Sequence, residues 1–391
     1  MLGEMQPNLG RWVRGYGPGD RCRTWLAQQR DRPPHFACVL GFTDTGLVPG
    51  ISAAGATPDD RRYTALADAE FLVNGPTPTP RYPLPPLQAG ASPVLITRAV
   101  VTAWDVPVEL INAGLPVAPA VPALVVGGEP ARCLSTGRAM DRATVDRLWA
   151  AGLAWGEARS RDLATSDRYL ILSECVVGGT STALAVLLGL GIAAAGKVNS
   201  SHSACTHGQK LALVQAGLTA AGDAWARSPW AGVAAVGDPM QVFVAGAAIA
   251  ASRRVGVMLA GGTQMLAVYA LARAIAITEA LPWNPAAIAI GTTRWVAADP
   301  TGDTPGLVAA LGQAHPPTAP ILLATQLSLA ASPHATLRAY EQGFVKEGVG
   351  AGGCAIAAHL LGWDGDQLRR AVDRVADAYG AIAPPSRPHP A

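Results

Sequence analysis

The chain has 391 residues, 50% hydrophobic and 15% charged, which gives enough apolar mass for a large core in one large or two ordinary domains. A net charge of +2, with no basic run carrying interleaved aromatics, excludes the strong field that nucleic acid or acidic membranes attract. Six scattered cysteines without a CxxC pair fit reduced thiols in a cytosol, and the opening MLGEMQPNLGRWVRGYGPGD lacks the apolar stretch of a signal peptide.

Apolar runs rich in Val, Ile and Leu predict strands at 35–42 (HFACVLGF), 92–101 (SPVLITRAVV), 106–115 (VPVELINAGL) and 168–177 (RYLILSECVV). Four more follow at 231–239 (AGVAAVGDP), 253–262, 285–296 and 319–329. Continuous runs of this kind suit strands buried on both faces of a parallel sheet. Helical patterns fall at 143–161, 210–228 and 265–281, and a last helix is predicted at 364–380, with Leu368, Val372, Val375 and Tyr379 on one face. The proline-rich residues 72–92 read as an extended surface excursion, and the proline-rich end of the chain as a disordered tail. The two most apolar stretches, 182–196 and 255–277, are short or broken by glycine and belong in an α/β core. Strand and helix alternate, so the predicted fold is α/β: a doubly wound, mainly parallel sheet with helices on both faces. Cys38 and Cys175 lie in strand runs and read as core.

In such folds ligands bind beyond the carboxyl ends of the strands, where glycine turns lead into helices. SECVVGGTSTALAVLLGLG (173–191) is a strand end, a glycine turn and a helix start. Backbone N–H groups of Gly178, Gly179 and Thr180, with the hydroxyls of Thr180, Ser181 and Thr182, can offer donors to a phosphate. Small residues that let a helix pack close on a sheet give the same pattern. Glu174, an acid beside apolar VVGG, needs a partner or a role. Gly261 and Gly262 close another strand in the same way. Of 30 basic residues only Lys197, Lys210 and Lys346 are lysines, and Lys210, at a helix start in NSSHSACTHGQK, is placed either to reach such a phosphate or to sit solvated at the surface. His202, Cys205 and His207 match no closed zinc motif. The loop FTDTGLVPGISAAG, dense in small polar residues, singles out Ser52.

In VKEGVGAGG (345–353) a glutamate stands among glycines. In a water-poor pocket burial would raise the pKa of Glu347 toward the range useful to a general base. The other reading is an acid that complements the dipole of the following helix. In an extended backbone Lys346 would point to the opposite face.

VKEGVGAGG, SECVVGGTSTALAV (173–186), the lysine of HGQK and GISAAGATPDDRRYTALADAEFL (50–72) occur in one order and together resemble the nicotinate-nucleotide-dimethylbenzimidazole phosphoribosyltransferases, most closely their archaeal and cyanobacterial branch. The resemblance spans about residues 20–380, leaving an N-terminal arm (1–20) and the tail (381–391) outside. It implies an α/β domain over 21–380 with a smaller helical part built from both chain ends, and a homodimer. The implied reaction moves the phosphoribosyl group of nicotinate mononucleotide to dimethylbenzimidazole or a similar base, giving an α-ribazole-type 5′-phosphate for cobalamin. It uses no metal or redox cofactor. On this reading Glu347 is the base and Glu174 orients substrates or offsets charge at C1′. Gly178, Gly179, Thr180, Lys210, Gly261 and Gly262 hold the phosphate or nucleotide, and Ser52 lines the base pocket. The turns differ in detail from the GEMGIGNTT-like and GEGTGAA-like strings of the bacterial enzymes. Adenine as acceptor, or a nucleotide-binding sensor without catalysis, are the alternatives.

Overall fold

Along a strand successive side chains face opposite sides, and two sets of apolar residues divide accordingly. Ala37, Val39, Leu170, Leu172, Val257, Leu259, Ile288 and Ile290 enter one core. Phe36, Cys38, Leu40, Tyr169, Ile171, Met258 and Ala289 enter the other. The computed structural model, which describes residues 9–382 apart from 56, 86 and 88, therefore has a sheet buried on both faces. Its strands are β1 (Val13–Tyr16), β2 (Pro34–Gly41), β3 (Val108–Gly114), β4 (Leu124–Val125), β5 (Tyr169–Cys175), β6 (Val257–Ala260), β7 (Ile288–Thr293) and β8 (Leu322–Thr325). Their order is β1-β8-β7-β6-β5-β2-β3-β4. Every pairing is parallel except that of β1 with β8. The expected α/β architecture, a mainly parallel sheet with helices on both faces, is the one observed.

From β2 the chain winds outward through β3 to β4, then crosses to β5 on the other side of β2 and winds outward through β6, β7 and β8. The winding reverses between β2 and β5, which opens a crevice beyond their carboxyl ends. Helices Arg142–Thr165, Gly179–Gly189, Pro239–Ala251 and Gly262–Thr278 cover one face. Helices Gly19–Gln29, Thr64–Asn74, Val94–Ala103, Ala351–Leu360 and Gly365–Ile382, drawn from both chain ends, cover the other. Among the described residues no helix is long and apolar enough to cross a membrane.

Three expectations change. Residues 92–101 form not a strand but most of helix Val94–Ala103, and 231–239 are largely helix Pro229–Val236, started by Ser228, whose side chain accepts from the Ala231 N–H. Both helices are buried enough to lose the polar face that would have marked them. The segment read as an N-terminal arm supplies β1, the antiparallel edge strand. Of the expected tail, residues 383–391 lie outside the described residues.

Candidate active site

Glu174, on β5 next to its last residue, is 3% exposed. Its Oε2 accepts from the Val176 N–H at 3.1 Å and its Oε1 from Gln264 Nε2 at 2.9 Å. Gln264 belongs to the first turn of helix Gly262–Thr278, and its Oε1 rests against Gly179, where a Cβ would lie 1.9 Å away. Gly178, at φ +88°, turns the chain into helix Gly179–Gly189, and a Cβ there would meet the Gly46 nitrogen at 2.7 Å. The glycine pair is thus fixed by two close approaches.

The 343–350 segment is not extended. The Lys346 N–H donates to the Phe344 carbonyl at 2.9 Å and that of Glu347 to the Val345 carbonyl at 3.0 Å, two successive γ-turns. Val345, Lys346 and Val349 hold φ of +68°, +70° and +52°, conformations that side chains resist. Three anchors maintain them: Thr293 Oγ1 donates to the Lys346 carbonyl at 2.6 Å, the Val349 N–H to the Glu174 carbonyl at 3.1 Å, and Thr97 Oγ1 to the Val349 carbonyl at 2.8 Å. The Glu347 carboxyl is seated by four donors. Oε2 accepts from Thr292 Oγ1 (3.0 Å) and the Thr293 N–H (2.9 Å), and Oε1 from the N–H groups of Gly348 (3.2 Å) and Gly352 (3.0 Å).

Both carboxyls border one cavity with Ser52, Asp68, Gly178, Gly179, Thr180 and Gly262. Pro85, Leu87, Ala89, Pro93, Phe344 and Val345 add apolar wall, so the proline-rich excursion helps to enclose the site. Asn199, Ser200, Ser201, His202, Ser203 and Lys346 add polar wall. Burial pushes Glu347 up to about 7 against its four hydrogen bonds. It pushes Glu174 up to about 8, helped by the nearby charges of Glu347 and Asp238. Asp68 rises to about 6, again through burial, although Ser92 Oγ donates to it at 2.6 Å. Three carboxyls facing one cavity are thereby poised to exchange protons near neutrality.

Ser52, 7% exposed, pairs with Ser201 Oγ at 3.2 Å and accepts from the Ala54 N–H at 3.1 Å, tying the loop after β2 to the 199–203 loop. Gly261, at φ +147°, stands one step behind the cavity wall and leaves room for Glu174, whose Cγ a Cβ would approach at 3.2 Å. Lys210 departs from expectation. Helix His207–Ala221 points it inward, its Nζ donates to the carbonyls of Asn199 (2.6 Å) and Val198 (3.4 Å), and it does not border the cavity. Burial draws its ammonium down to about 8. The Thr182 hydroxyl also turns away, donating to Asp238 Oδ2 at 2.5 Å. His202 and His207 reach the carbonyls of Gly50 and Thr301, and Cys205 Sγ lies 3.7 Å from Asp299 Oδ2. Sequence reasoning missed Asp68 and Gln264. A lone Asp among alanines in TALADAEFL was the available signal for the first, and the second had only its place behind Gly261 and Gly262.

No family model matches the chain. Among solved structures it is similar to CobT from Thermus thermophilus, with a TM-score of 0.55 and 17% identity, covering 94% of this chain and 93% of that one. A nicotinate-nucleotide-dimethylbenzimidazole phosphoribosyltransferase structure from the same organism gives a TM-score of 0.52 and 16% identity, covering 94% and 95%. At such identities the likeness is one of fold. Among curated proteins, a UPF0284 protein of Cyanothece sp. is 60% identical over 380 residues, 95% of this chain and 98% of its own. One of Nostoc sp. is 58% identical over 376 residues, covering 92% and 97%. The chain therefore belongs to the UPF0284 protein family.

Proposed function

We propose that the protein is a phosphoribosyltransferase that moves the phosphoribosyl group of nicotinate mononucleotide to a nitrogen heterocycle, dimethylbenzimidazole or a similar base such as adenine. The observation that carries the reading is the seating of Glu347. A carboxyl fixed by four donors, facing a cavity and held near pKa 7, has the position and basicity of a general base. The likeness of fold to a phosphoribosyltransferase of that name supports it.

The acceptor's ring nitrogen attacks C1′ from the face opposite nicotinate, and the glycosidic bond breaks with its electron pair going to the pyridine ring, which discharges the pyridinium. The ring N–H proton passes to Glu347, leaving an α-linked ribotide and nicotinate. Glu174 is mostly protonated in the empty site at neutral pH. A cationic pyridinium ribotide beside it favours its carboxylate, which then offsets the positive charge that grows at C1′. Gly178 and Thr180 supply backbone donors at a helix start, while the Gly179 N–H is taken by the Val176 carbonyl at 3.1 Å and that glycine serves by its lack of a side chain. The same reading makes the protein a homodimer, which light scattering of the full chain tests.

The test is an acceptor screen with nicotinate mononucleotide, read by product mass. Nicotinate release with a base-ribotide product is expected, and Glu347→Gln should lower kcat by about 10²- to 10⁴-fold. In that variant an amide nitrogen in the place of Oε2 can donate to Thr292 but leaves the Thr293 N–H unpaired, so the fold loses one hydrogen bond. Tight nucleotide binding without any product across the bases would replace the enzyme with a nucleotide sensor.

A further inference from the structure

At the polar end of the cavity two side chains lack the partners that burial demands. Ser200 borders the cavity and is 4% exposed, yet its Oγ has no hydrogen-bond partner. Lys346 borders it too, 2% exposed, and its ammonium, with three N–H donors, meets Asp299 Oδ2. That carboxylate is already occupied by Asn199 Nδ2 at 2.8 Å and by the Thr301 N–H and Oγ1 at 2.9 and 2.8 Å. Lys210 lies behind on carbonyl oxygens, and Arg61, 6% exposed, donates to the carbonyls of Gly46 and Val48. Arg61, Lys210 and Lys346 all bear electrostatically on His202, so they share one neighbourhood. Among the described residues, that neighbourhood sets three buried cations against Asp299, because Lys197 is matched by Asp303 and the cavity's other carboxyls, Glu174, Glu347 and Asp68, are pushed toward their neutral forms by burial. A buried surplus of positive charge is costly until an anion arrives. Lys346 is also held at a strained φ of +70°, a conformation that persists where the surrounding structure imposes it.

We propose that Lys346, rather than Lys210, is the cation that meets the phosphate monoester of the ligand, with the Ser200 hydroxyl donating beside it. The inference rests on the reading of this cavity as a sugar-phosphate site. Its oxyanion is the 5′-phosphate and not the carboxylate of nicotinate, since a dianion is what the surplus calls for. Lys210 acts behind it by holding the Asn199 carbonyl and so the loop that carries Ser200.

Calorimetry on the full chain decides it, comparing nicotinate mononucleotide with nicotinate riboside, which lacks only the phosphate. The wild type should prefer the nucleotide by about 30-fold or more, the worth of a charge-assisted contact. Lys346→Met combined with Asp299→Asn keeps the pair neutral, and should bring that preference below about threefold while leaving riboside affinity unchanged. Lys346→Arg should restore part of the preference, and Lys210→Met should keep about tenfold of it. Equal losses for nucleotide and riboside, or a preference that survives in the double variant, would overturn the proposal. If neither nicotinate compound binds, the function proposed above fails alone. Thermal protection by ribose 5-phosphate then decides this site: protection lost in the Lys346→Met, Asp299→Asn variant and partly kept in Lys346→Arg supports it, and protection absent from the wild type or unchanged in the double variant overturns it.

Discussion

Glu347 and Gly179 show how single atoms set the chemistry. Folding raises the Glu347 pKa from its ordinary 4.5 to about 7, and the base form is the carboxylate, so kcat/KM for transfer should rise with pH through about 7. A flat profile between about pH 5 and 8 would show that no group of this kind takes the proton. Gly179 admits no side chain, because a Cβ would meet Gln264 Oε1 at 1.9 Å. Gly179→Ala should therefore displace Gln264 from Glu174 and weaken nucleotide binding about tenfold or more, while Gly208→Ala, a helix position with nothing within 4 Å of the added carbon, should not. Glu347 and Glu174 were legible because an acid embedded in small apolar residues and glycine has few bland explanations. Lys210 and Lys346 were not. Both lie within two residues of a glycine in the sequence, and which one faces the cavity depends on the γ-turns at 344–347, which no side-chain pattern announces. An extended backbone would have sent Lys346 away from Glu347, and the turns bring both to the cavity wall.

Strands were readable as short unbroken apolar runs, and helices where burial left a polar face. Strands β2, β5, β6 and β7 were plain because parallel strands covered on both faces read as near-continuous apolar runs. The same rule misled at 92–101 and 231–239, since a helix buried all round is equally apolar and both stretches carry valines. Ser228-Pro229, a cap followed by a proline suited to the first helical turn, was the overlooked start signal for the second. The contact between helices Arg142–Thr165 and Pro239–Ala251 shows what glycine does at this scale. A Cβ on Gly152 would lie 2.3 Å from the Phe243 carbonyl oxygen, and one on Gly156 would lie 2.5 Å from that of Ala247. The two axes can approach only because both side chains are absent. Gly156→Leu should force them apart and cost about 1–3 kcal/mol or more, seen as a lower denaturant midpoint. The pH profile of the surviving activity should stay in place, because neither helix supplies a wall of the cavity. A moved profile would mean that this packing sets the geometry of Glu347.

Among the described residues, the acids that folding displaces most shift in two directions with opposite effects on stability. Glu174, Glu347, Asp68 and Asp238 are raised, chiefly by burial, to about 8, 7, 6 and 6 from ordinary values of 4.5 for Glu and 3.8 for Asp. The folded chain then holds protons that the unfolded chain releases. Their stabilisation is complete below those ordinary values and is lost as pH rises through the folded ones. Glu109 behaves in reverse. Burial opposes its ionisation, but hydrogen bonds from His35 and Trp155 and the charge of Arg159 hold it at about 2, so its contribution is present above 4.5 and is lost as pH falls toward the folded value. Stability of the empty protein should therefore be greatest on the mildly acidic side of neutrality. The guanidinium midpoint is expected to be higher at about pH 5.5 than at about pH 8.5. Glu174→Gln should narrow the gap by raising the alkaline midpoint, since it removes a buried group that must ionise there, and should change the acidic midpoint little. A cationic ribotide should narrow it too, by favouring the carboxylates it faces. Equal midpoints at the two pH values, or a gap that Glu174→Gln leaves intact, would mean that the cavity carboxyls are already ionised in the empty site, and the proton sink proposed for transfer would have to be sought elsewhere.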